Sequence, residues 1–142
     1  MRLSTRRELI AGPAGKIECA VDEPESGSSR GVALVAHPHP LHGGTLDNKV
    51  AQTLARAFAE LGYSAWRPNF RGVGASEGSH DEGRGEIDDL AAVIAHAKAA
   101  KPVLAGFSFG AAIQAKLAQR LAKEGNPPSR MVLVGIAVGH AE

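Results

Sequence analysis

Three stretches of the chain read G-x-S-x-G, a spacing that can lift a serine hydroxyl between two glycines. They are Gly27/Ser29/Gly31, Gly74/Ser76/Gly78 and Gly106/Ser108/Gly110. In a chain with 17 glycines the pattern is cheap, so the flanking sequence must choose. A nucleophilic serine has to stand strained and exposed at the apex of a sharp turn that runs from a strand straight into a helix. Only Ser108 has an apolar run just before it, 102–107 (PVLAGF), and a small-residue helix start just after it, with Ala111 and Ala112. Gly106 and Gly110 let neighbouring backbones approach. The N–H of Phe109, at the helix N-terminus, is then one donor for an oxyanion. The competing reading is a tight strand–helix turn with a serine N-cap.

A second oxyanion donor is expected from the loop after 31–36, which reads His37-Pro38-His39-Pro40-Leu41-His42-Gly43-Gly44. Pro38 and Pro40 have no N–H, so the donor is His39 or Leu41, with His39 preferred. The two prolines stiffen the loop and preorganise that amide. His37, His39 and His42 also spell H-x-H-x-x-H, a spacing suited to zinc. It is similar to the metallo-β-lactamase pattern, but position 41 is Leu where that family has Asp. His80, His96 and His140 are scattered and complete no second cluster. The histidines are therefore read as shaping the oxyanion loop, and neither a metal nor a cofactor is expected. Gly72-Val73-Gly74-Ala75-Ser76-Glu77 departs from the dinucleotide fingerprint at its third glycine, and no phosphate-cradling G-x-x-x-x-G-K-[ST] occurs.

The elements that must position these residues follow from the apolar pattern. Segments 7–10 and 16–21 flank Gly12-Pro13-Ala14-Gly15 and read as a β-hairpin; 23–30 (EPESGSSR) reads as an exposed loop. Segment 31–36 (GVALVA) is apolar throughout, as a strand buried on both faces should be. Val50, Leu54, Ala57, Phe58 and Leu61 recur at helical spacing, with Gly62 placed to end that helix. A strand follows at 63–70, then a Gly-rich loop at 71–85. Ile87, Leu90, Ile94 and Ala97 mark a second helix, 102–107 a third buried strand, and Ile113, Leu117 and Leu121 a third helix. Segment 131–138 (MVLVGIAV) is the last strand. The fold class is α/β: a three-layer α/β/α domain with a mostly parallel sheet and an N-terminal β-hairpin, occupying residues 1–142. Ligands of such sheets bind beyond the carboxyl ends of the strands, which directs attention to the loops at His37, Arg71, Ser108 and Gly139. Arg71 is expected near the site mouth with His37, organising carbonyls or a carboxylate such as Glu77 or Asp81. Asp81, Asp88 and Asp89 read as a solvated loop and an acidic first helical turn.

Composition narrows the function classes. Sixteen basic against fifteen acidic residues leave a net charge of +1, which gives no electrostatic reason for a nucleic-acid or anionic-membrane partner. The longest apolar runs are far shorter than the roughly 20 residues of a membrane span. The N-terminus has positive charge but no apolar segment behind it, so a secretory signal is not expected. A single cysteine, Cys19, cannot form an internal disulfide, which fits a reducing, cytoplasmic setting.

Three blocks in this order resemble an α/β-hydrolase of a small bacterial serine hydrolase type: HPHPLHGGTLDNKV (37–50), NFRGVGASEGSHDEGRGEIDD (69–89) and GFSFGAA (106–112). The resemblance implies acyl-transfer chemistry on carboxylic esters or related bonds, with Ser108 as nucleophile and the Phe109 and His39 amides holding the oxyanion. It also implies a departure. In that fold the acid and the histidine of the triad follow the serine, on loops after strands later than 131–138. An incomplete fold lacking those strands is therefore expected. His140 and Glu142 are not expected to replace the missing pair. The chain by itself should be nearly inactive, and a non-catalytic remnant that only binds or associates is the alternative, with a His-ligated zinc hydrolase behind it. The small-molecule partner is an acyl substrate. The uncharged strand 131–138 would be left as an edge without the usual protections, so self-association through it is expected.

Overall fold

The computed structural model describes residues 4–136. Strands β1 (Ser4–Gly12) and β2 (Gly15–Glu23) form the hairpin, in register from Ser4↔Glu23 to Gly12↔Gly15. Both are longer than the apolar pattern alone predicts, because the pairing continues through exposed polar residues. The chain then alternates: β3 (Val32–Ala36), α1 (Lys49–Glu60), β4 (Ser64–Pro68), α2 (Arg84–His96), β5 (Val103–Phe107), α3 (Phe109–Lys123) and β6 (Arg130–Val134). The sheet order is β1-β2-β4-β3-β5-β6. β2 pairs antiparallel with β4, and the β4-β3-β5-β6 block is parallel.

This order places a topological switch between β3 and β5. The chain leaving β3 turns towards β4, and the chain leaving β5 turns towards β6. A crevice therefore opens at their carboxyl ends, where the loops from His37 and Ser108 meet. β3 is buried on both faces, as its sequence requires. Leu34 joins the core under α2 and α3 with Leu90, Val93, Leu104, Ile113 and Leu117. Ala33 and Val35 join the core under α1 with Ala51, Ala55, Phe58, Ala65 and Ala105.

The face that α1 buries differs from the one its large residues suggest. Ala51, Ala55, Phe58 and Ala59 are buried, whereas Leu61 is 60% exposed. The sheet surface beneath is itself alanine-rich, so a close approach of helix to sheet favours small residues over the leucines. Asn48 caps α1, its side chain accepting from the amides of Val50 and Ala51. The final strand ends at Val134, short of the 131–138 expected, and Gly135 follows at φ +55°. Residues 137–138, and with them Gly139, His140 and Glu142, lie outside the described residues. No described helix is long and apolar enough to cross a membrane.

Candidate active site

Ser108 is the single residue between β5 and α3, with φ +57° and ψ −116°. That is a backbone an L-residue adopts only under constraint. The constraint is visible on both sides. A Cβ on Gly106 would stand 2.7 Å from the Gly110 carbonyl carbon, and one on Gly110 would stand 2.3 Å from the Ala36 oxygen and 2.5 Å from that of His37. The start of α3 therefore rests directly on the end of β3, backbone against backbone. The Ser108 N–H donates to the Val134 carbonyl at 2.9 Å. Its side chain makes no capping bond to α3 and is half-buried, so the hydroxyl is not spent on holding the helix. The Phe109 N–H belongs to the first turn of α3, whose amides have no partner within the helix.

The other two serines of the pattern are differently employed. Ser76 is buried, donates to the Asn69 carbonyl at 2.7 Å and accepts from the Glu18 amide at 2.9 Å. Ser29 sits in the loop before β3 and donates to the Gly31 carbonyl.

The loop after β3 is a short 3₁₀ turn over Pro40–His42. The Leu41 amide donates to His39 Nδ1 at 3.1 Å, while the His39 N–H donates no hydrogen bond among the described residues. Of the two amides left open by the prolines, His39 is therefore the one available to a ligand. The His37 side chain is not at the mouth: it is 1% exposed. Its Nε2 accepts from the Phe70 amide at 3.0 Å, which leaves Nδ1 to donate to the Pro38 carbonyl at 2.7 Å. His37 braces the loop after β3 against the chain just beyond β4, and burial pulls its pKa down to about 4.

Three of the other histidines, His39, His42 and His80, cluster beside Phe109, whereas His96 lies against Trp66. The His39 ring lies 4.6 Å from that of Phe109, 4.7 Å from His42 and 4.9 Å from His80. His39 and His42 are stacked rather than converging by their nitrogens. Among the described residues no three His, Cys, Asp or Glu are grouped so as to hold a metal ion. Burial and then the neighbouring imidazoles of His80 and His42 push the His39 pKa below its ordinary value.

Arg71 organises its loop, through a partner other than the ones expected. Its Nε and Nη2 hold both oxygens of Asp89 at 2.7 and 2.8 Å, and Nη2 reaches the Gly85 carbonyl at 3.0 Å. Asp89 is thus no part of a solvated helical turn; it is 2% exposed. Burial pushes its carboxyl up, against the opposing pull of Arg71. Asp81 accepts from the Gly85 amide, and Asp88 pairs with Arg120 at the surface. Glu86 is wholly buried and accepts from the amides of Asp81 and Gly83 at 2.8 and 2.9 Å. A Glu three residues after a helix-starting Gly83 is a capping signature that the sequence does carry. Asp89 has no such local signal, because its partner lies 18 residues earlier.

A serine at a strained strand–helix apex, at the switch point of a mostly parallel sheet, defines an α/β serine hydrolase fold. Residues 35–142 match the family described as serine aminopeptidase, S33, and the chain belongs to that family. An α/β serine hydrolase homologue from Coxiella burnetii is 48% identical with a TM-score of 0.74, covering 80% of this chain and 56% of that one. A lidless α/β serine hydrolase from Xanthomonas campestris is 35% identical with a TM-score of 0.78, over 94% of this chain and 71% of that one. An uncharacterized protein of Rickettsia prowazekii is 40% identical over 114 residues, which are 77% of this chain and 48% of that protein. The chain thus spans about half the length of the Rickettsia and Coxiella relatives.

Proposed function

We propose that the chain carries the nucleophile and oxyanion hole of a hydrolase acting on a carboxylic ester or related acyl bond. Ser108 attacks the carbonyl and forms the acyl-enzyme, and the Phe109 and His39 amides receive the negative charge on the oxygen. The observation that carries this reading is the Ser108 backbone, held at φ +57° by glycine contacts on both sides and with its side chain not used as a cap. Strain of this kind persists only where the surrounding structure imposes it.

No imidazole hydrogen-bonds the Ser108 hydroxyl among the described residues, and a serine hydroxyl without such a base is a weak nucleophile. Loss of triad function costs on the order of 10⁶ in kcat, while an oxyanion hole alone sustains roughly 10³-fold over water. Slow labelling of Ser108 by a fluorophosphonate and very low turnover of p-nitrophenyl acetate are expected. Labelling that persists in Ser108→Ala would refute the assignment of the nucleophile. Turnover at an ordinary esterase rate, abolished by Ser108→Ala, would show that this chain does supply a base.

A further inference from the structure

His80 stands apart from the other residues of the 71–83 loop. Its ring is 5.8 Å from that of Phe109, next in the chain to the nucleophile, and 4.9 Å from that of His39, which bears the second oxyanion amide. Its Nδ1 lies 3.2 Å from Glu86 Oε2. The contact is close but not a well-aligned hydrogen bond, and this nitrogen is sealed from solvent with no other partner. Glu86 is itself immobile: it is fully buried, and each of its oxygens already accepts a backbone N–H. In the neutral ring, a carboxylate oxygen 3.2 Å from Nδ1 favours the tautomer with the proton on that nitrogen, which leaves the Nε2 lone pair free. Nε2 has no protein partner among the described residues and, unlike Nδ1, is not sealed from solvent.

In that tautomer Nε2 is a hydrogen-bond acceptor on a ring that stands beside Phe109 and His39. The other ring surfaces there, Phe109 and the stacked face of His39, offer contact area without such an acceptor, and the His39 Nδ1 is already engaged by the Leu41 amide. The Phe109 and His39 amides, which the proposed reading assigns to the acyl oxygen, belong to the two residues whose rings His80 neighbours.

We propose that His80 is a specificity-determining residue, whose Nε2 accepts a hydrogen bond from a hydroxyl or ammonium group near the carbonyl of the acyl substrate. The assignment rests on Ser108 being the nucleophile. A site with a fixed acceptor favours donor-bearing acyl groups over their plain alkyl counterparts, since the alkyl analogue leaves the acceptor unpaired.

The test is single-turnover acylation at pH 8, followed by intact-protein mass spectrometry, with the p-nitrophenyl esters of propionate, lactate and alanine. These acyl groups are near-isosteric and differ in carrying no donor, a hydroxyl or an amine. The expected result is a rate ratio, donor-bearing over propionyl, about tenfold higher in the wild type than in His80→Phe, the rate equivalent of one hydrogen bond. His80→Gln, which keeps an acceptor oxygen, should recover part of the ratio. A rise for lactate alone or alanine alone would assign the hydroxyl or the ammonium as the donor. Equal ratios in wild type, His80→Phe and His80→Gln would overturn the role of His80 while leaving Ser108 in place. Adducts that survive Ser108→Ala, or none with any ester, would overturn the Ser108 reading and the role of His80 with it.

Discussion

The site has two walls, and they are built on opposite principles. The elbow wall, where β5, Ser108 and α3 meet the end of β3, is fitted by backbone against backbone with no side chain between. The loop wall, from Asn69 to Asp89, is tied by buried polar groups. Arg71 holds Asp89, Glu86 holds two amides, and Asn69 accepts from the Leu46 amide at 2.8 Å while donating to Glu18. The first arrangement fixes a serine in a strained backbone, which needs contacts that cannot yield. The second holds a long loop with little regular structure, whose backbone amides must find partners somewhere. The two walls should consequently fail in different ways: the elbow when an atom is added, the loop when a charge is removed.

The largest effect is expected at Arg71→Met. It strands the buried Asp89 carboxylate and should cost about 3–5 kcal/mol in chemical denaturation. The double variant Arg71→Met/Asp89→Leu should recover most of that loss. If the single variant is as stable as the wild type, the ion pair does not hold the loop.

Gly110→Val should cost about 3 kcal/mol, the upper end of ordinary overpacking, because the new atoms meet the backbone oxygens of Ala36 and His37 rather than a movable side chain. Equal melting temperatures for this variant and the wild type would show that the elbow is looser than its geometry requires.

Between the walls stands His37, which joins the loop after β3 to the Phe70 amide. Its folded-state pKa of about 4 lies below the ordinary value of 6.5, so on acidification the unfolded chain takes up the proton first. Stability from this group is complete above pH 6.5 and is lost as the pH falls towards 4. The expected loss is about 2 kcal/mol by pH 5. Denaturation curves at pH 7 and pH 5 should show that extra slope in the wild type and not in His37→Gln.

Ser108→Gly should abolish fluorophosphonate labelling and yet stabilise the fold by about 1 kcal/mol, since glycine tolerates the backbone that strains serine. A destabilised Ser108→Gly would mean that the strain is absent. The smallest effect on stability belongs to neither wall. Met131, Val132 and Val134 on β6 are 36–40% exposed. Val134→Lys should leave the melting temperature nearly unchanged, within about 0.5 kcal/mol, while reducing self-association in size-exclusion chromatography with light scattering. A wild type that is monomeric at tens of micromolar would refute association through that strand.

Much of this was readable from the chain. The apolar run at 31–36 has to be a strand buried on both faces, and the run at 102–107 followed by Ser108 and two alanines has to turn sharply into a helix. Pro38 and Pro40 remove two amides by covalent chemistry alone. The face of α1 was not readable in the same way, because a stripe of larger residues, Val50, Leu54 and Phe58, and a stripe of alanines, Ala51, Ala55 and Ala59, run along one helix. Only the sheet beneath, lined by Ala33, Ala65 and Ala105, selects the small one.

The sequence by itself determined the order of the elements, the strand–helix apex at Ser108 and the limited choice of oxyanion amides. These depend on residue type and near-neighbour spacing, which one chain displays in full. The tertiary structure decided which distant groups meet. Asp89 became the partner of Arg71 in place of Glu77 or Asp81, His37 turned inward as a brace, and His80, with Glu86 against its Nδ1, came to stand beside Phe109. Those outcomes depend on how the 71–83 loop folds back over the carboxyl ends of the strands. That path is set by the balance between burying charge and pairing it, a balance struck between residues far apart in the chain.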